Sequence, residues 1–231
     1  MLNTQLHRQT MLLILKKIYA EPSLATLLGF KGGTACYLLY GLPRFSVDLD
    51  FDLLRIEHES VVFDEMKRLL AQFGTLEDAT NKKSTLFYLL SYQPGLHKIK
   101  VDISKRSLGS SYEPKQHLGI AFLVMRQADM MAHKLVALMD RKHLASRDLF
   151  DLFFFFSNRW PINTRLVEER TGISYAQYLT RCLTFIESIP ERTLLTGIGE
   201  LVDGKTKQWI KARLKAELHS LLSIQLDALR S

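Results

Sequence analysis

The chain has 231 residues, 47% of them hydrophobic and 24% charged, which is typical of a water-soluble globular protein with a proper core. Its 31 basic residues outnumber its 24 acidic ones, and the net charge of +7 favours a polyanionic partner, nucleic acid first and an acidic protein second. The two cysteines, Cys36 and Cys182, are too few and too far apart for a disulfide framework or a zinc pattern. No segment has the length or the apolar character of a signal peptide or a membrane span, so we expect a cytoplasmic protein.

The first predicted element is an amphipathic helix over residues 4–20 with a basic outer face. It is followed by Gly32, Gly33 and Thr34, and by an apolar run that ends at Gly41. Two glycines and a hydroxyl residue before such a run predict a tight turn into a helix, with Thr34 near the N-cap. Because backbone N–H groups at a glycine-rich helix start bind phosphate, this turn is a predicted phosphate cradle.

A strict alternation of apolar and acidic residues from Val47 to Leu53 predicts a strand. Asp48, Asp50 and Asp52 then share one face, about 6.5–7 Å apart along the strand. Three such carboxylates repel one another unless a cation lies among them, so the pattern indicates a site for divalent metal ions. An exposed edge strand protected by its charges is the alternative, and the nearby phosphate cradle favours the metal site. Whether Asp52 joins that site stays open.

The following elements mix one helix with strands. Residues 58–73 have helical spacing. Residues 84–92 and 97–104 are β-rich and flank a Pro-Gly turn, so they predict a hairpin. Residues 105–119 are predicted to form a loop that either closes over a substrate or is a solvated connector, and residues 120–124 a last short strand.

Several polar residues are ordinary when each is taken alone. Asp102 on the second hairpin strand has the position of a surface charge. From residue 125 onward the pattern is helical, and Lys134 there is by default a solvent-facing lysine. Arg147 and Asp151 have the i,i+4 spacing of an intrahelical ion pair.

The C-terminal part of the chain continues as helices over 162–171, 175–188 and 205–230. The Phe153–Phe156 run before it is predicted to be buried core and not a base-stacking platform. The last helix is strongly basic at its start. A solvated face is the default interpretation of that cluster, and a nucleic-acid contact is the alternative.

The glycine turn and the acidic strand together resemble the signature of the AbiEii/AbiGii toxin family, which includes the MenT-type toxins and belongs to the DNA polymerase β-like nucleotidyltransferase superfamily. The resemblance covers about residues 25–155. The matching residues are Lys31-Gly32-Gly33-Thr34-Ala35, Arg44, Ser46, Asp48-Leu49-Asp50-Phe51, the lysine-bearing segment from Ala132 to Leu138, Arg141, and Arg147-Asp148-Leu149-Phe150-Asp151.

This resemblance implies an α/β (α+β) fold. A nucleotidyltransferase core with a small mixed sheet flanked by helices would occupy residues 1–124. A helical C-terminal region over residues 125–231 would complete the active-site cleft. The same resemblance implies a Mg²⁺-dependent enzyme that transfers a nucleotidyl group from a nucleoside triphosphate (NTP) to an acceptor hydroxyl.

The resemblance also implies roles for the carboxylates. Asp48 and Asp50 would bridge two Mg²⁺ ions. Asp102 would stand at the third catalytic carboxylate, bind the catalytic ion and help to take the proton from the attacking hydroxyl.

Further residues would hold the nucleotide in this family. Lys31, Gly33 and Thr34 match the phosphate-binding turn. Lys134 would contact the triphosphate and stabilise the charge of the leaving pyrophosphate. Asp148 would complete the site, and Arg147 would hold Asp148 or the nucleotide.

By the same resemblance the acceptor would be RNA, in particular the 3′ end of tRNA, so that its extension blocks translation. The protein would be the toxin of a type IV toxin–antitoxin pair, with a cognate antitoxin resembling AbiEi. A hydroxyl residue two positions before the first aspartate can be phosphorylated in this family, and Ser46 has that position.

Two other functions stay open from the sequence. One is a nucleotidyltransferase that modifies a protein or small-molecule hydroxyl, although the basic surface disfavours a cationic aminoglycoside. The other is a nucleotide- or RNA-binding module without turnover. The set of three carboxylates and a lysine counts against the second, because a binder has no need of bridging acids.

Overall fold

The computed structural model describes residues 2–140 and 145–230, and the chain divides into two compact units, Met1–Met125 and Arg126–Ser231. The first unit contains four helices and seven strands in its described part. In chain order these are α1 (Thr4–Ala20), α2 (Pro22–Ala25), β1 (Leu28–Lys31), α3 (Gly32–Tyr40), β2 (Asp48–Leu53), α4 (Glu59–Leu70), β3 (Thr75–Lys82), β4 (Thr85–Ser91), β5 (Ile99–Ser104), β6 (Tyr112–His117) and β7 (Ile120–Met125).

The seven strands form one mixed sheet in the order β3-β4-β5-β2-β1-β7-β6. β2 pairs in parallel with β5, and β1 pairs in parallel with β7, whereas the remaining neighbours are antiparallel. The predicted α/β class with a mixed sheet flanked by helices is therefore confirmed. The acidic strand β2 lies near the middle of the sheet, so it is not the exposed edge strand of the alternative interpretation.

The alternating pattern of the central strands separates a buried face from a polar one. Leu49 and Phe51 of β2, and Val101 and Ile103 of β5, have no exposed surface. Helices α1 and α4 contact each other, and α1 also contacts β7. Burial of these apolar side chains orients the sheet so that the carboxylates of β2 and β5 lie on the opposite face.

Three boundaries differ from the sequence-based expectation. Residues Thr75–Lys82 form strand β3, which was not predicted, and residues Tyr112–His117 form strand β6 inside the segment expected to be a loop. The part before Tyr112 is a loop, and Leu118 and Gly119 form the turn between β6 and β7. Helix α4 ends at Leu70, earlier than the predicted end at residue 73, and is preceded by a short 3₁₀ turn at Ile56–His58.

The second unit is helical in its described part. It contains α5 (Gln127–Asp140), α6 (Ser146–Ser157), α7 (Thr164–Thr171), α8 (Tyr175–Ser188), α9 (Gly204–Trp209) and α10 (Lys215–Asp227), with a π-helical turn at Ile210–Leu214 joining the last two. Phe155 is fully buried and stacks on Trp160 at 4.2 Å between ring centroids. Phe153 packs on Trp209 at 4.6 Å. The prediction of a fully buried Phe153–Phe156 run is therefore correct for Phe155 only, because the other three phenylalanines are partly exposed. No described helix combines the length and hydropathy needed to cross a bilayer.

Candidate functional site

The glycine pair brings the start of helix α3 against the acidic strand. Strand β1 leads directly into α3, and Gly32 has a φ of +79°, a conformation that L side chains rarely adopt. A Cβ at Gly32 would lie 2.5 Å from the Asp50 Oδ2 atom. A Cβ at Gly33 would lie 2.9 Å from Ser46 Oγ and 2.7 Å from an Arg44 guanidinium nitrogen. Both glycines are therefore required for this close approach.

Thr34 fastens the helix to the acidic strand. Its side chain is fully buried, and its hydroxyl donates a hydrogen bond to the backbone carbonyl of Asp48. Lys31, and not Thr34, occupies the N-cap position of α3. The hydroxyl of Thr34 thus holds the backbone of the first aspartate beside the helix start.

Three of the predicted carboxylates share one face of the first unit. Asp50 of β2 and Asp102 of β5 are register partners, and Asp48 is the register partner of Lys100. Asp48, Asp50 and Asp102 are all partly exposed. Burial, and then the charge of Asp48, raise the pKa of Asp50, while Lys31 and Lys100 oppose that rise. The face therefore concentrates negative charge at a place where burial makes the ionised form of Asp50 unfavourable.

Lys100 reduces that cost. Its Nζ atom lies 2.6 Å from the Asp102 Oδ2 atom. Burial lowers the pKa of Lys100, but the hydrogen bond to Asp102 and the charges of Asp102, Asp48 and Asp50 outweigh burial, so the pKa is raised overall. Lys100 is a member of the site that the sequence analysis did not select.

Asp52 has a separate environment from the other two acids of β2. It is buried, with its Oδ1 atom 2.6 Å from Lys31 Nζ and its Oδ2 atom accepting a hydrogen bond of 2.6 Å from the Tyr112 hydroxyl. The Tyr112 ring lies against Gly29, where a Cβ would overlap it. Lys31 and Tyr112 thus neutralise and bind Asp52, and this group is a structural network beside the carboxylates.

His7 is a second residue that the sequence analysis missed. It is fully buried, its Nε2 atom lies 2.9 Å from the Val47 carbonyl oxygen, and its Nδ1 atom lies 2.9 Å from the Tyr92 hydroxyl. A carbonyl can only accept, so Nε2 donates and Nδ1 accepts from Tyr92. His7 therefore ties α1 to the residue that precedes Asp48. Its position on the apolar side of the first predicted helix was the sequence feature that could have indicated its burial.

The remaining predicted site residues lie in the second unit. Lys134 of α5 has its Nζ atom 2.9 Å from Asp148 Oδ1 and 3.0 Å from Asp151 Oδ2, and both aspartates of α6 are buried. Asp151 is thus bound to Lys134, in addition to having the helical spacing from Arg147 that predicted an ion pair. Arg141 lies outside the described residues.

The carboxylate face suits a magnesium ion in the kind of donors it offers. Hard carboxylate oxygens are the ligands that Mg²⁺ prefers. A cation would offset both the burial and the repulsion from Asp48 that raise the pKa of Asp50. Within residues 2–140 and 145–230, no three histidine, cysteine or acidic side chains already converge as a cation cage. Asp102 is bound to Lys100 and would exchange that ammonium for the ion.

A pocket of about 340 Å³ lies next to this face in the first unit. Asp52 and Tyr112 line it, together with the residues that follow β2 and the loop that follows β5. The pocket thus adjoins the buried network of Lys31, Asp52 and Tyr112.

Comparisons with known proteins identify a family and a similar fold. A family model described as "Nucleotidyl transferase AbiEii toxin, Type IV TA system" matches residues 13–209. The fold resembles a candidate nucleotidyltransferase from H. pylori, at 21% identity and a TM-score of 0.62, with 98% of this chain and 96% of that chain covered. It also resembles JHP933 from Helicobacter pylori, at 22% identity and a TM-score of 0.56, with 99% and 98% covered. No protein of curated function matches the chain.

Proposed function

The chain belongs to the AbiEii nucleotidyl transferase toxin family of type IV toxin–antitoxin systems, and we propose that it transfers a nucleotidyl group from an NTP to a hydroxyl of RNA. The proposed acceptor is the 3′ end of tRNA, and its extension would block translation. One observation carries the proposal. The partnered carboxylates Asp50 and Asp102 and the neighbouring Asp48 lie beside a helix start whose two glycines allow close approach.

Each side of this arrangement suits one part of the reaction. Backbone N–H groups at a glycine-rich helix start bind phosphate, so Gly33 and the first turn of α3 would hold the triphosphate. Thr34 would keep that turn against Asp48 through the hydrogen bond from its hydroxyl. Lys31, held by Asp52, would add positive charge at the same place.

Asp48, Asp50 and Asp102 would hold Mg²⁺, and we expect two ions, as in the superfamily that the sequence resembles. The bound ions would supply Lewis-acid stabilisation of the charge on the transferred group. Asp102 would orient the acceptor hydroxyl and take its proton, and its ion pair with Lys100 would hold its carboxylate in position before substrates bind.

The second unit would contribute Lys134, Arg147 and Asp148. The family pattern assigns Lys134 to the triphosphate, where its ammonium would stabilise the charge of the leaving pyrophosphate. Asp148, with Asp151, fixes the Lys134 ammonium and would thereby orient it. Arg147 would hold Asp148 or the nucleotide.

The partners follow from charge and family. A net charge of +7 suits RNA as the acceptor. The protein would be controlled by a cognate antitoxin resembling AbiEi. Ser46 is a proposed site of regulatory phosphorylation. It is buried, and its Oγ atom would lie 2.9 Å from a Cβ at Gly33, so a phosphate there would occupy the helix start that the NTP needs.

The proposal is tested by incubating the protein with total tRNA, Mg²⁺ and each labelled NTP in turn. Label should enter tRNA from one or two NTPs and should be lost with Asp48→Ala. Asp64→Ala, which removes an exposed carboxylate of α4, is the matched control and should transfer normally. Omission of Mg²⁺, with a chelator present, should abolish transfer.

If label enters a protein or a small molecule and not tRNA, the acceptor hydroxyl belongs to that molecule and the proposed RNA acceptor is wrong. A binding module without turnover gives a different result. Asp48→Ala and Asp50→Ala would then leave RNA affinity unchanged or increase it, because negative charge near phosphate is removed, and no variant would differ in transfer.

A further inference from the structure

The pocket beside Asp52 lies beyond the carboxyl ends of two parallel strands. It is lined by Leu53 at the end of β2, by the segment that follows it, residues 54–57, and by the loop that follows β5, residues 105–110. Because β2 and β5 are parallel neighbours, both segments leave the sheet at the same edge. The crevice outside the carboxyl ends of parallel strands is where open α/β sheets bind their ligands. Its volume of about 340 Å³ is within the range of small-ligand pockets.

The charged side chains inside the pocket are bound to partners within the protein, whereas those at its rim are exposed to solvent. Asp52 is bound by Lys31 and Tyr112. Lys105 Nζ lies 3.0 Å from a Glu59 carboxylate oxygen and 2.9 Å from the Asn81 amide oxygen.

Two arginines at the rim, Arg55 and Arg106, are exposed. Ser107 and Ser110 add hydroxyl groups to the same wall, and Glu57 is the exposed acid among the lining residues. The rim thus offers two guanidinium groups and neutral hydrogen-bonding groups to a ligand.

We propose that this pocket binds the ribose–phosphate backbone of the acceptor RNA strand, next to the hydroxyl that reacts. The inference rests on the proposed function and names where its second substrate lies. Guanidinium groups suit phosphodiesters through paired N–H donors, and hydroxyl side chains suit the ribose 2′-hydroxyl.

The position along β2 distinguishes the two substrates. Thr34 is bonded to the backbone of Asp48, and a Cβ at Gly32 would lie 2.5 Å from Asp50 Oδ2, so the α3 start that would hold the triphosphate meets β2 beside Asp48 and Asp50. The pocket lies at the Asp52 end. Asp52 lies two residues of strand beyond Asp50, about 6.5–7 Å along the same face of β2. The carboxylates Asp48 and Asp50 therefore lie beside the helix start, and the pocket begins at the next acidic position of the same face, so a strand bound in the pocket would lie next to the reacting groups.

The double variant Arg55→Ala/Arg106→Ala tests this inference. Both side chains are exposed, so the fold should be unaffected. Binding of a fluorescent single-stranded oligoribonucleotide is measured by anisotropy at several salt concentrations, with Mg-NTP binding measured in parallel. We expect RNA affinity to fall about tenfold or more and the salt slope to decrease by about 1.4, which is about 0.7 for each lost phosphate contact. Mg-NTP affinity should not change.

The matched control is Lys16→Ala/Lys67→Ala, which removes two exposed charges from α1 and α4 away from the pocket. It should leave RNA affinity within about twofold of the parent protein if the pocket is the site. An equal loss in both double variants would mean general electrostatic attraction and would overturn the inference. Weaker NTP binding with unchanged RNA binding would assign the pocket to the nucleotide and would overturn it as well.

A crosslinking experiment locates the strand independently of affinity. An oligoribonucleotide with 4-thiouridine next to its 3′ end should crosslink to residues 105–112. A crosslink that maps elsewhere would overturn the inference while leaving RNA as the acceptor. Failure of the proposed function would give a different result from failure of the inference alone. The parent protein would then neither bind the oligoribonucleotide nor label tRNA, and the inference would fail together with the proposed function.

Discussion

Asp50 and Asp102 are register partners on the parallel strands β2 and β5, so the two carboxylates leave the sheet side by side on one face. Burial and the charge of Asp48 make ionised Asp50 costly. We therefore expect Asp50→Asn to leave the free energy of unfolding unchanged or to raise it. Because Asp50 would be a direct ligand of the metal ion, transfer should fall sharply. The loss should exceed the roughly 10–100-fold that follows removal of a residue that only positions a metal ligand.

Asp52→Asn is the matched comparison, since it makes the same change on the same face of β2. Asp52 is buried and bound by Lys31 and Tyr112, so the substitution removes one charge-assisted network and should cost about 1–3 kcal/mol. Urea unfolding of both variants checks the prediction. Equal destabilisation by the two substitutions would contradict the division of the acidic strand into a reactive pair and a structural residue.

Gly32→Ala should disrupt the site and the fold together. The residue would carry a positive φ, which costs about 1–2 kcal/mol, and its Cβ would lie 2.5 Å from Asp50 Oδ2. Gly41→Ala is the control, because Gly41 also has a positive φ but no atom lies within 4 Å of its Cβ position. Both variants should lose stability in thermal melting, and only Gly32→Ala should also lose transfer. Equal activity of the two variants would show that contact with Asp50 has no influence on the reaction.

His7 should make the protein less stable in mild acid. Burial, with a smaller effect from the charge of His97, lowers the pKa of His7 below its ordinary value of 6.5, while Asp48 and the Val47 carbonyl oppose that shift. The unfolded chain then binds the proton more readily, so stability is full above pH 6.5 and is lost as pH falls below it. Urea unfolding between pH 8 and 5 should show a steeper loss for the parent protein than for His7→Asn. Parallel curves would refute this role.

Lys134→Met should destabilise the second unit, whatever its effect on catalysis. The substitution leaves buried Asp148 and Asp151 without the ammonium that lies within 3.0 Å of both, and breaking a buried ion pair costs about 3–5 kcal/mol. Lys134→Met/Asp148→Asn should recover part of that stability, because one of the two charges is removed. Circular dichroism melting separates this effect from loss of transfer. If the single variant melts like the parent protein, the cluster is not structural.

The edge strands were the part of the fold that could not be predicted from sequence. β3 and β6 are the two ends of the sheet. Their sequences, TLEDATNK and YEPKQH, are polar because an edge strand in solvent needs no buried face, and Pro114 is tolerated only at such a place. The central strands β2 and β5 were predicted because one of their faces is buried, which imposes the alternation.

The sequence left open whether Asp52 joins Asp48 and Asp50, and the structure gives Asp52 partners of its own. Alternation alone gives Asp48, Asp50 and Asp52 the same face. What distinguishes Asp52 is its contact with Tyr112, 60 residues later in the chain. Contacts of this kind depend on strand order, which periodicity does not reveal. Thr34 is similar, because its position near a helix start was predictable but its bond to Asp48 was not.

The parallel pairing of β2 with β5 has a consequence for folding. Asp50 and Asp102 become neighbours only when a long stretch of chain, which includes one helix and two strands, has been closed, and such pairings are intrinsically slow. During synthesis the carboxylate face cannot exist until β5 has left the ribosome and docked on β2. The newly made chain would therefore pass through a period of inactivity, during which a partner protein has time to reach it.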